Sequence, residues 1–528
     1  MNHKYNTPLA ALLLVICLLI ASCNPPEPEN TPTPAPTSSI QVTEGAKASP
    51  DPAGVTATPS PSPLPVKEST RYNVYNIVVD IEPDTRTVTG VEKVSYKNRT
   101  GMALEQIYFN LYLNAFNRAA SAKPYFETFE PMIFQNGKDY GYINITGAMI
   151  NNEGAVFSVK DTVLTITLPE PLQPEDELEI TIVFDAYVPM INHRVGANET
   201  VMWMGNFFPI LALYDANGWH KNPYYPAGDP FYANIANYNV KVNTPPGYVT
   251  VATGEEVSSE SSGVRTTTIT ATLVRDFAFA VSKGYTVETL KNNSGVYVNL
   301  YRYTDAPEAE LLLDAAVRTL ETYSARIGSY PYTSLDIVEV GMLPTISGTE
   351  YPGIIFIDTG YFTSETKRLS LARDIAHQWF YNIIGSNQIK EAWLDEGLAE
   401  YVSQGFLHTP EELVQSMSAE YDLLAALLPS IENKTLLQDL SVYKSWNEYK
   451  SIQQTRAKLM MYALEQKIGL DAMNAFLKLY YTNYAFRLVN KNDFIATVAE
   501  VTEEPLDDFF RGWLEDFALP PLFPNQKQ

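Results

Sequence analysis

The chain has 528 residues, 45% of them hydrophobic and 12% aromatic, which excludes a wholly disordered or fibrous protein. Acidic residues number 61 and basic residues 37, so the formal net charge of −24 repels a phosphate backbone and argues against binding of nucleic acid. Two cysteines are too few for a disulfide framework or a cysteine zinc cluster, and five histidines leave little room for more than one histidine-rich metal site.

The N-terminus carries the features of an export signal. Lys4 precedes an apolar stretch over residues 9–20 that is too short for a comfortable membrane span. The stretch ends in Ile20-Ala21-Ser22-Cys23, which resembles a bacterial lipobox, in which the cysteine is acylated. We therefore predict a lipoprotein signal peptide over residues 1–22, with lipidated Cys23 anchoring the chain to the extracytoplasmic face of the cell membrane. An ordinary secretory signal that leaves Cys23 as a free thiol is the alternative.

Residues 23–66 have the composition of a tether. Between positions 24 and 66 the chain holds 12 of its 36 prolines and no aromatic residue. Such a segment cannot bury enough apolar surface to offset chain entropy, and it favours extended polyproline II. At about 3.1 Å per residue it could hold the folded part up to roughly 130 Å from a bilayer.

Residues 67–285 are predicted to form an antiparallel β-domain. Apolar and polar residues alternate over 75–82 and again over 178–185, as in strands with one buried face. A further pair of strands, around Val242 and Val249, flanks the turn Pro245-Pro246-Gly247. Strands near ten residues apart, with turn residues between them, suggest a sandwich or saddle of antiparallel sheets.

Residues 286–528 are predicted to form a mixed, mainly helical domain, so that the whole chain is a multidomain α+β protein. Asp305 and Glu308 have capping-box spacing ahead of a helix that runs to Ile327. Residues 335–340 and 353–358 are predicted to be short buried strands, and nearly everything after Lys367 to be helical. The sequence contains no internal repeat.

The helix predicted over residues 367–384 is the place where chemistry is expected. One of its faces is apolar, and polar residues recur at three- and four-residue spacing as a second stripe. A solvated face is the ordinary interpretation of such a stripe. Because Trp379, Phe380 and Tyr381 directly follow His377, however, we expect this helix to be buried nearly all round.

Several groups of residues, taken together, resemble the motifs of the membrane alanyl aminopeptidase family of zinc peptidases, the gluzincins. That family carries H-E-x-x-H, then eighteen residues, then a glutamate within W-L-[ND]-E-[GA], and Glu396 lies nineteen positions after His377. The matching segments are Arg373-Asp374-Ile375-Ala376-His377, Trp393-Leu394-Asp395-Glu396-Gly397, Ser347-Gly348-Thr349-Glu350-Tyr351 and, as in smaller bacterial members, Gly218-Trp219-His220 with Asn222-Pro223-Tyr224-Tyr225.

The resemblance implies a β-domain followed by a thermolysin-like peptidase domain that binds peptides through their N-terminal amine. In the family, two histidines and a glutamate hold zinc with one open position. The glutamate of H-E-x-x-H takes a proton from the zinc-bound water, and a later tyrosine stabilises the oxyanion. On this chain the family's metal positions include His377 and Glu396, and the amine-binding position is Glu350.

The chain departs from the family pattern at the centre of the site. Arg373 stands where the family has its first histidine ligand, and a guanidinium offers no lone pair to a metal. Asp374 stands at the general-base position, one methylene shorter than glutamate. Gln454 aligns without gaps on the oxyanion-donor tyrosine, although a shift of a loop would bring Tyr449 to that role.

Electrostatics favours Arg373 as a replacement for the metal cation. Two unit charges about 4 Å apart interact by roughly 4 kcal/mol at an effective dielectric of 20, and a divalent ion roughly doubles that repulsion. The same guanidinium is attracted to Asp374 and Glu396, with Glu350 as a further candidate partner. The leading hypothesis is therefore a peptide-binding or regulatory pseudopeptidase that needs no cofactor.

Other interpretations stay open. A working zinc aminopeptidase that removes N-terminal residues from extracellular peptides is the alternative function, and it requires zinc. A rescue metal site made of Asp374, His377 and Glu396 is conceivable, because a carboxylate and a histidine three residues apart can share a metal. His377 could instead be a packed histidine, Glu396 a simple partner of Arg373, and Glu350 a charge at a strand edge.

We expect Cys23→Ala to release the protein into the medium, because the substitution removes the atom that carries the acyl chains. Fractionation of cells that express each form, followed by immunoblotting, measures this, and the wild-type chain should remain with the membranes. Equal release of both forms would remove the lipoprotein hypothesis.

Overall fold

A computed structural model describes residues 72–343, 348–432 and 434–523. This part of the chain lies within one compact unit. Over those ranges no helix is both long enough and apolar enough to cross a membrane. The predicted signal peptide, the lipidation site Cys23 and the tether lie outside the described residues.

The first domain is built almost wholly from strands. Two short helical segments and the helix α1 (Glu130–Ile133) interrupt it. The strands are β1 (Asn73–Glu82), β2 (Thr87–Lys97), β3 (Leu104–Asn110), β4 (Tyr142–Ile150), β5 (Glu153–Gly154), β6 (Val156–Lys160), β7 (Val163–Leu172), β8 (Glu177–Tyr187), β9 (Val195–Ala197), β10 (Val201–Gly205), β11 (Ile210–Leu211), β12 (Tyr214–Asp215), β13 (Gly218–Trp219), β14 (Ala236–Thr244), β15 (Val249–Ala252), β16 (Glu255–Ser261), β17 (Val264–Val274) and β18 (Ala278–Ser282).

These strands form one eight-stranded sheet and two four-stranded sheets, besides the small β12–β13 hairpin. Their orders are β16-β17-β14-β1-β2-β8-β4-β5, β15-β18-β10-β9 and β11-β3-β7-β6. Alternate residues of β1 are buried, as the period-two pattern predicted. One pair departs from the predicted antiparallel arrangement, since β1 and β14 run parallel with Asn73 opposite Ala236. Their wide separation in sequence removes the hairpin that would impose antiparallel pairing.

The second domain combines a five-stranded sheet with helices. Its regular elements are β19 (Thr286–Lys291), β20 (Tyr297–Arg302), α2 (Ala309–Arg326), β21 (Ser334–Glu339), β22 (Gly348–Tyr351), β23 (Ile354–Ile357), α3 (Glu365–Ala376), β24 (Ile384–Ser386), α4 (Trp393–Leu407), α5 (Pro410–Leu427), α6 (Trp446–Tyr449), a π-helix (Lys450–Arg456), α7 (Ala457–Ile468), α8 (Leu470–Tyr484), β25 (Arg487–Val489), α9 (Lys491–Ala499) and α10 (Asp507–Leu514). The sheet order is β19-β20-β21-β23-β22, and the edge strand β22 runs antiparallel to β23. This confirms the predicted fold class, a β-domain followed by a mixed, mainly helical domain.

Two details of the helix predictions were wrong. Helix α2 begins after Glu308 without a side-chain cap, so the predicted capping box with Asp305 does not form. Helix α3 ends at Ala376, although the pattern predicted a helix to residue 384. The chain turns there because the amides of Asn382, Ile383 and Ile384 bond back to carbonyls of residues 377–379. His377 therefore caps the helix instead of lying within it.

The two domains share an apolar core. Trp203 of β10 and Ala280 of β18 belong to the same buried cluster as Val338 of β21 and Phe356 of β23. Trp203 is fully buried, and its indole N–H donates to the carbonyl of His193 at 2.7 Å. Because apolar side chains of both domains are buried against one another, the domain junction is packed like the interior of a single domain.

Arg275 is a polar clamp at the same junction. It follows β17 in the β-domain, is 3% exposed, and donates to backbone carbonyls of the second domain. Its Nε lies 2.7 Å from the carbonyl oxygen of Tyr381, and its Nη2 lies 3.1 Å from that of Arg487. Tyr381 has φ +119°, a backbone conformation that non-glycine residues adopt only under restraint. The clamp holds this strained turn directly after His377.

We expect Arg275→Gln to lower the free energy of unfolding by about 2–4 kcal/mol, because several buried carbonyls lose a charged donor. Hydrogen exchange should speed up most at the amides of residues 381–386. Urea unfolding gives the stability, and mass spectrometry gives the exchange. Arg511→Gln is the matched control, because that side chain is 64% exposed and pairs with Asp508, and its effect should stay within about 0.5 kcal/mol. Equal effects of the two substitutions would contradict the clamp.

Candidate functional site

Four elements converge on one buried cluster of charged side chains. Helix α3 supplies Arg373 and Asp374, and His377 follows its last turn. Glu396 and Glu400 lie one turn apart on α4, and Glu350 lies on the edge strand β22. The segment from α6 to the π-helix contributes Tyr449 and Gln454. The π-helix is a local widening that is frequent at functional sites.

Arg373 lies at the centre of this cluster. Its Nη2 forms a short ion pair with Oε2 of Glu396, its Nε is 3.0 Å from Oε1 of Glu400, and its Nη1 is 3.5 Å from Oδ1 of Asp374. The side chain is 20% exposed. Its guanidinium is thus shared by three carboxylates from two helices, and their charges raise its pKa despite burial.

Both carboxylate oxygens of Glu396 are engaged. The Tyr449 hydroxyl donates to Oε1 at 2.9 Å, and the Gln454 amide donates to Oε2 at 3.1 Å, beside Arg373. Burial works to raise the pKa of Glu396, but the positive charges of Arg373 and His377 outweigh it and hold the pKa below its ordinary value. Glu396 is therefore a charged, fully coordinated carboxylate.

His377 is completely buried and oriented by a neighbouring acid. Its Nδ1 lies 2.6 Å from Oδ1 of Asp395 and 3.2 Å from the carbonyl of Phe380. Glu350 lies 3.6 Å from the same nitrogen. Burial alone would lower the pKa of His377, but the carboxylates of Glu350 and Asp395 raise it to about 10. Among the described residues Nε2 has no hydrogen-bond partner.

Glu350 and Asp374 are the other two buried carboxyl groups beside Arg373 and His377. Burial raises the pKa of Glu350 to about 8, against the opposing charge of His377. Burial also raises the pKa of Asp374, while Arg373 and a 2.6 Å hydrogen bond from Tyr361 oppose that shift. A Cβ at Gly348 would lie 2.5 Å from Oδ2 of Asp374, so glycine is needed there for β22 to approach α3.

Residues of the β-domain also pack against this charged cluster. Arg194 is buried and pairs with Asp229 at 2.5 Å, and it also donates to the carbonyl of Gly228 at 3.1 Å. A Cβ at Gly228 would lie 2.8 Å from the Tyr449 hydroxyl. Tyr449 is therefore wedged between the β-domain and Glu396.

The residues around Arg373 do not fit a zinc ion. Of the three family ligand positions one holds a guanidinium, which offers no lone pair, and each oxygen of Glu396 already accepts a hydrogen bond or an ion pair, so that His377 is left as the one uncommitted ligand. Among the described residues no group of three histidine, cysteine, aspartate or glutamate side chains is arranged to hold a metal ion.

The structure brings most of the predicted site residues together. The cluster contains Arg373, Asp374, His377 and Glu396. Glu350 lies beside His377, whereas the sequence suggested Glu350 as a further partner of Arg373. Gln454 and its alternative Tyr449 both contact Glu396. Their predicted roles in metal binding, amine binding and oxyanion stabilisation stay predictions.

Three contributors were missed from the sequence. Glu400 is one helical turn after Glu396, so helical spacing could have identified it. Asp395 precedes Glu396 within the W-L-D-E-G segment, and its contact with His377 required only that α4 face α3. Tyr361 left no sequence signal, because its position depends on the turn between β23 and α3.

Comparison with known proteins finds a family of peptidases to which part of this chain is similar. Residues 311–513 match the model of the peptidase family M1 domain. Aminopeptidase M1-D of rice is 24% identical over 285 residues, and human endoplasmic reticulum aminopeptidase 1 is 22% identical over 302 residues. Each alignment covers 50% of this chain, and 31% and 30% of the two relatives, so the chain matches about a third of their length.

Solved structures match over a larger part of the chain. An M1 zinc metallopeptidase from Deinococcus radiodurans superposes with a TM-score of 0.63 at 17% identity, covering 86% of this chain and 96% of that one. A mutant of the same enzyme bound to the peptide Tyr-Ser-Ala gives a TM-score of 0.61 at 18% identity, with the same coverage. The shared fold is that of a two-domain M1 metallopeptidase. The chain therefore shares this two-domain fold, and its residues 311–513 are similar to the peptidase family M1 domain.

We expect Arg373→Gln to destabilise the fold by about 3–5 kcal/mol near neutral pH, because it leaves buried carboxylates without their cation. The loss should shrink only as the pH falls below about 4.5, the ordinary pKa of a glutamate. Glu396 has a lowered pKa in the folded wild type, so its contribution is fully present above the unfolded pKa and is lost as the pH falls through the folded pKa. Urea unfolding at several pH values measures the difference. Lys444→Gln is the control, since it breaks an exposed pair with Glu432 and should have little effect at any pH. A loss for Arg373→Gln that does not depend on pH would contradict this account.

Proposed function

We propose that the protein is a membrane-anchored, peptide-binding member of the M1 family that does not hydrolyse peptides, because Arg373 takes the place of the zinc ion. The observation that carries the proposal is the guanidinium of Arg373, bound to Glu396, Glu400 and Asp374 at the centre of the ligand positions.

The charge balance supports this role for Arg373. Five carboxyl groups meet here, those of Glu350, Asp374, Asp395, Glu396 and Glu400, all from the peptidase-like domain. Buried carboxylates need a cation or a proton, and the guanidinium supplies one positive charge in a planar form that suits several oxygens at once. A metal-free cleft of this family can therefore remain folded.

The remaining negative charge suits a peptide amine. Against five carboxyls the cluster offers three cations, Arg373, His377 and Lys458, whose Nζ lies 3.7 Å from Glu400, so a further positive charge is attracted. Glu350 lies at the family's amine-binding position and is 8% exposed. Burial raises the pKa of Glu350, and an ammonium group beside it would favour its ionised form.

The same cluster lacks the groups that hydrolysis needs. Asp374 at the general-base position is one methylene short, and its oxygens are turned to Tyr361 and Arg373. General-base catalysis contributes about 10²–10⁴-fold and depends on reach to the attacking water. The Tyr449 hydroxyl donates to Glu396, so that hydrogen is not available to an oxyanion in this arrangement.

An active zinc aminopeptidase is the second candidate, and one observation favours it. His377 keeps a buried Nε2 without a partner while Asp395 holds its Nδ1, which is the way a histidine is prepared for a metal. Zinc would supply a Lewis acid and an activated water there. For this candidate Arg373 would have to leave Glu396, which its three ionic contacts oppose.

Membrane anchoring through Cys23 is part of the proposal and rests on the sequence alone. The fractionation of Cys23→Ala tests it separately from the chemistry of the cleft. The ligand would then be an extracytoplasmic peptide with a free N-terminal amine.

We expect the purified wild-type protein to hold far less than one zinc per chain after dialysis at neutral pH, and to leave aminoacyl fluorogenic substrates intact. Arg373→His combined with Asp374→Glu should raise zinc content toward one per chain and produce measurable aminopeptidase activity. Arg373→His alone should gain zinc but little activity, because groups that act as a unit are non-additive. Elemental analysis and turnover, each with and without a chelator, measure both quantities.

Two further variants separate the candidates for the oxyanion donor. Gln454→Tyr, added to the double variant, should increase activity if position 454 has the predicted role, whereas Tyr449→Phe should abolish the regained activity if Tyr449 has it. Arg511→His is the control for surface histidines that recruit zinc, since Arg511 is exposed. Chelator-sensitive turnover by the wild-type protein would overturn the proposal and leave the zinc aminopeptidase.

A further inference from the structure

A separate pocket lies at the junction of the two domains. Its volume is about 440 Å³, within the range of small-molecule sites, and domain junctions are a common place for such sites. The β-domain contributes the end of β2, the β12–β13 hairpin and the segment around Leu211, while the peptidase-like domain contributes residues 486–488. None of its lining residues belongs to the Arg373 cluster.

The pocket is cationic in a strongly acidic protein. Lys97, Arg99, Arg275 and Arg487 line it, and its described lining includes no aspartate or glutamate. Arg487 is exposed, and no acidic side chain of the described ranges lies within ion-pair distance of its guanidinium. In a chain with 61 acidic residues against 37 basic ones, an exposed arginine at a pocket that has no acidic residue in its described lining points to an anionic ligand.

The other basic side chains that line the pocket already have partners, so they are less available to bind an anion. Arg275 is committed to backbone carbonyls at the domain junction. Lys97 pairs with Glu175 at 3.3 Å and with Glu177 at 3.6 Å, two largely exposed carboxylates. Arg99 donates to Asn73 at 3.4 Å. Arg487 is therefore the residue that we expect to bind the anionic group of a ligand.

A fixed aromatic surface stands beside these charges. Trp219 is half-buried, and its ring packs edge-on against Tyr214 at 5.3 Å and at a tilt of 58° against Tyr108 at 5.6 Å. Tyr96 also lines the pocket, and Asn73, Thr100 and Asn234 supply polar groups. Rigid rings of this kind offer a large apolar contact at low cost in side-chain entropy.

Ring and charge together select a class of ligand. A sugar ring has an apolar C–H face that suits an indole and hydroxyls that suit amide and hydroxyl groups. A carboxylate or phosphate on that sugar would reach an arginine, which binds either group through two parallel hydrogen bonds. The volume accommodates about a disaccharide and not a long polymer.

We propose that this junction pocket binds an acidic saccharide, with one sugar ring lying against Trp219 and its anionic group held by Arg487. The site is independent of the fate of the zinc position, because it shares no side chain with the Arg373 cluster.

The test uses the purified full-length protein and isothermal titration calorimetry with four probes. Digalacturonate carries carboxylates, glucose 6-phosphate carries a phosphate, maltose is a neutral disaccharide, and citrate is an anion without a ring. At least one of the first two should bind with one site per chain, and which of them binds identifies the anionic group. Maltose and citrate should bind at least about tenfold more weakly. Raising the salt from about 50 mM to about 300 mM should weaken the binding, since the charges are near the surface.

Two variants locate the site. Arg487→Gln removes an exposed cation without disturbing the core, and Trp219→Ala removes the ring; each should weaken the binding at least about tenfold. Trp219→Phe keeps a ring and should lose less, which separates a lost contact from a folding defect. Arg511→Gln and Tyr297→Ala are matched controls, because both side chains are exposed and lie outside the pocket. The proposal is overturned if neither acidic sugar binds, if maltose or citrate binds equally well, or if the controls weaken binding as much as the pocket variants.

Discussion

The candidate site depends on one arrangement of charges, a guanidinium shared among buried carboxylates that would otherwise lack most of their positive countercharge. Arg373 reaches from α3 to Glu396 and Glu400 on α4, so the ion pairs also fix the distance between these two helices. His377, Tyr449 and Gln454 take their positions from the same centre, because each contacts Glu396 or the acid beside it. A divalent ion and an arginine can both neutralise this cluster, but only the ion can activate water.

The β-domain is an active part of this arrangement. Arg275 holds the strained turn at Tyr381 through backbone carbonyls, and Asp229 and Gly228 bring the β-domain against Tyr449. Because the shared apolar core around Trp203 makes the junction rigid, these contacts are held at fixed geometry. The same junction also forms a pocket lined by basic residues, which shares no side chain with the acidic cluster around Arg373.

Much of the fold was predictable because it depends on local pattern. Period-two alternation identified β1 and β8, and the short apolar runs identified β21 and β23. The end of α3 was not predictable in this way. The apolar residues Trp379, Phe380 and Ile383 continue a helical pattern, but their burial is satisfied by a turn that Arg275 stabilises from the other domain. The parallel pairing of β1 with β14 is likewise set by partners far apart in the chain.

The sequence by itself determined the family resemblance and the substitution at its centre, because both consist of residue identities at fixed spacing. The sequence also predicted that Arg373 would form ion pairs with carboxylates, because a buried charge needs a partner of opposite sign. Only the tertiary structure decided which carboxylates these are. Glu400 shares the guanidinium, Glu350 turns to His377, and Tyr449 reaches Glu396, since α4, β22 and the π-helix approach α3 from distant parts of the chain. The junction pocket exists only in the folded chain for the same reason: Trp219 and Arg487 lie far apart in sequence, and domain packing alone brings them to one cavity.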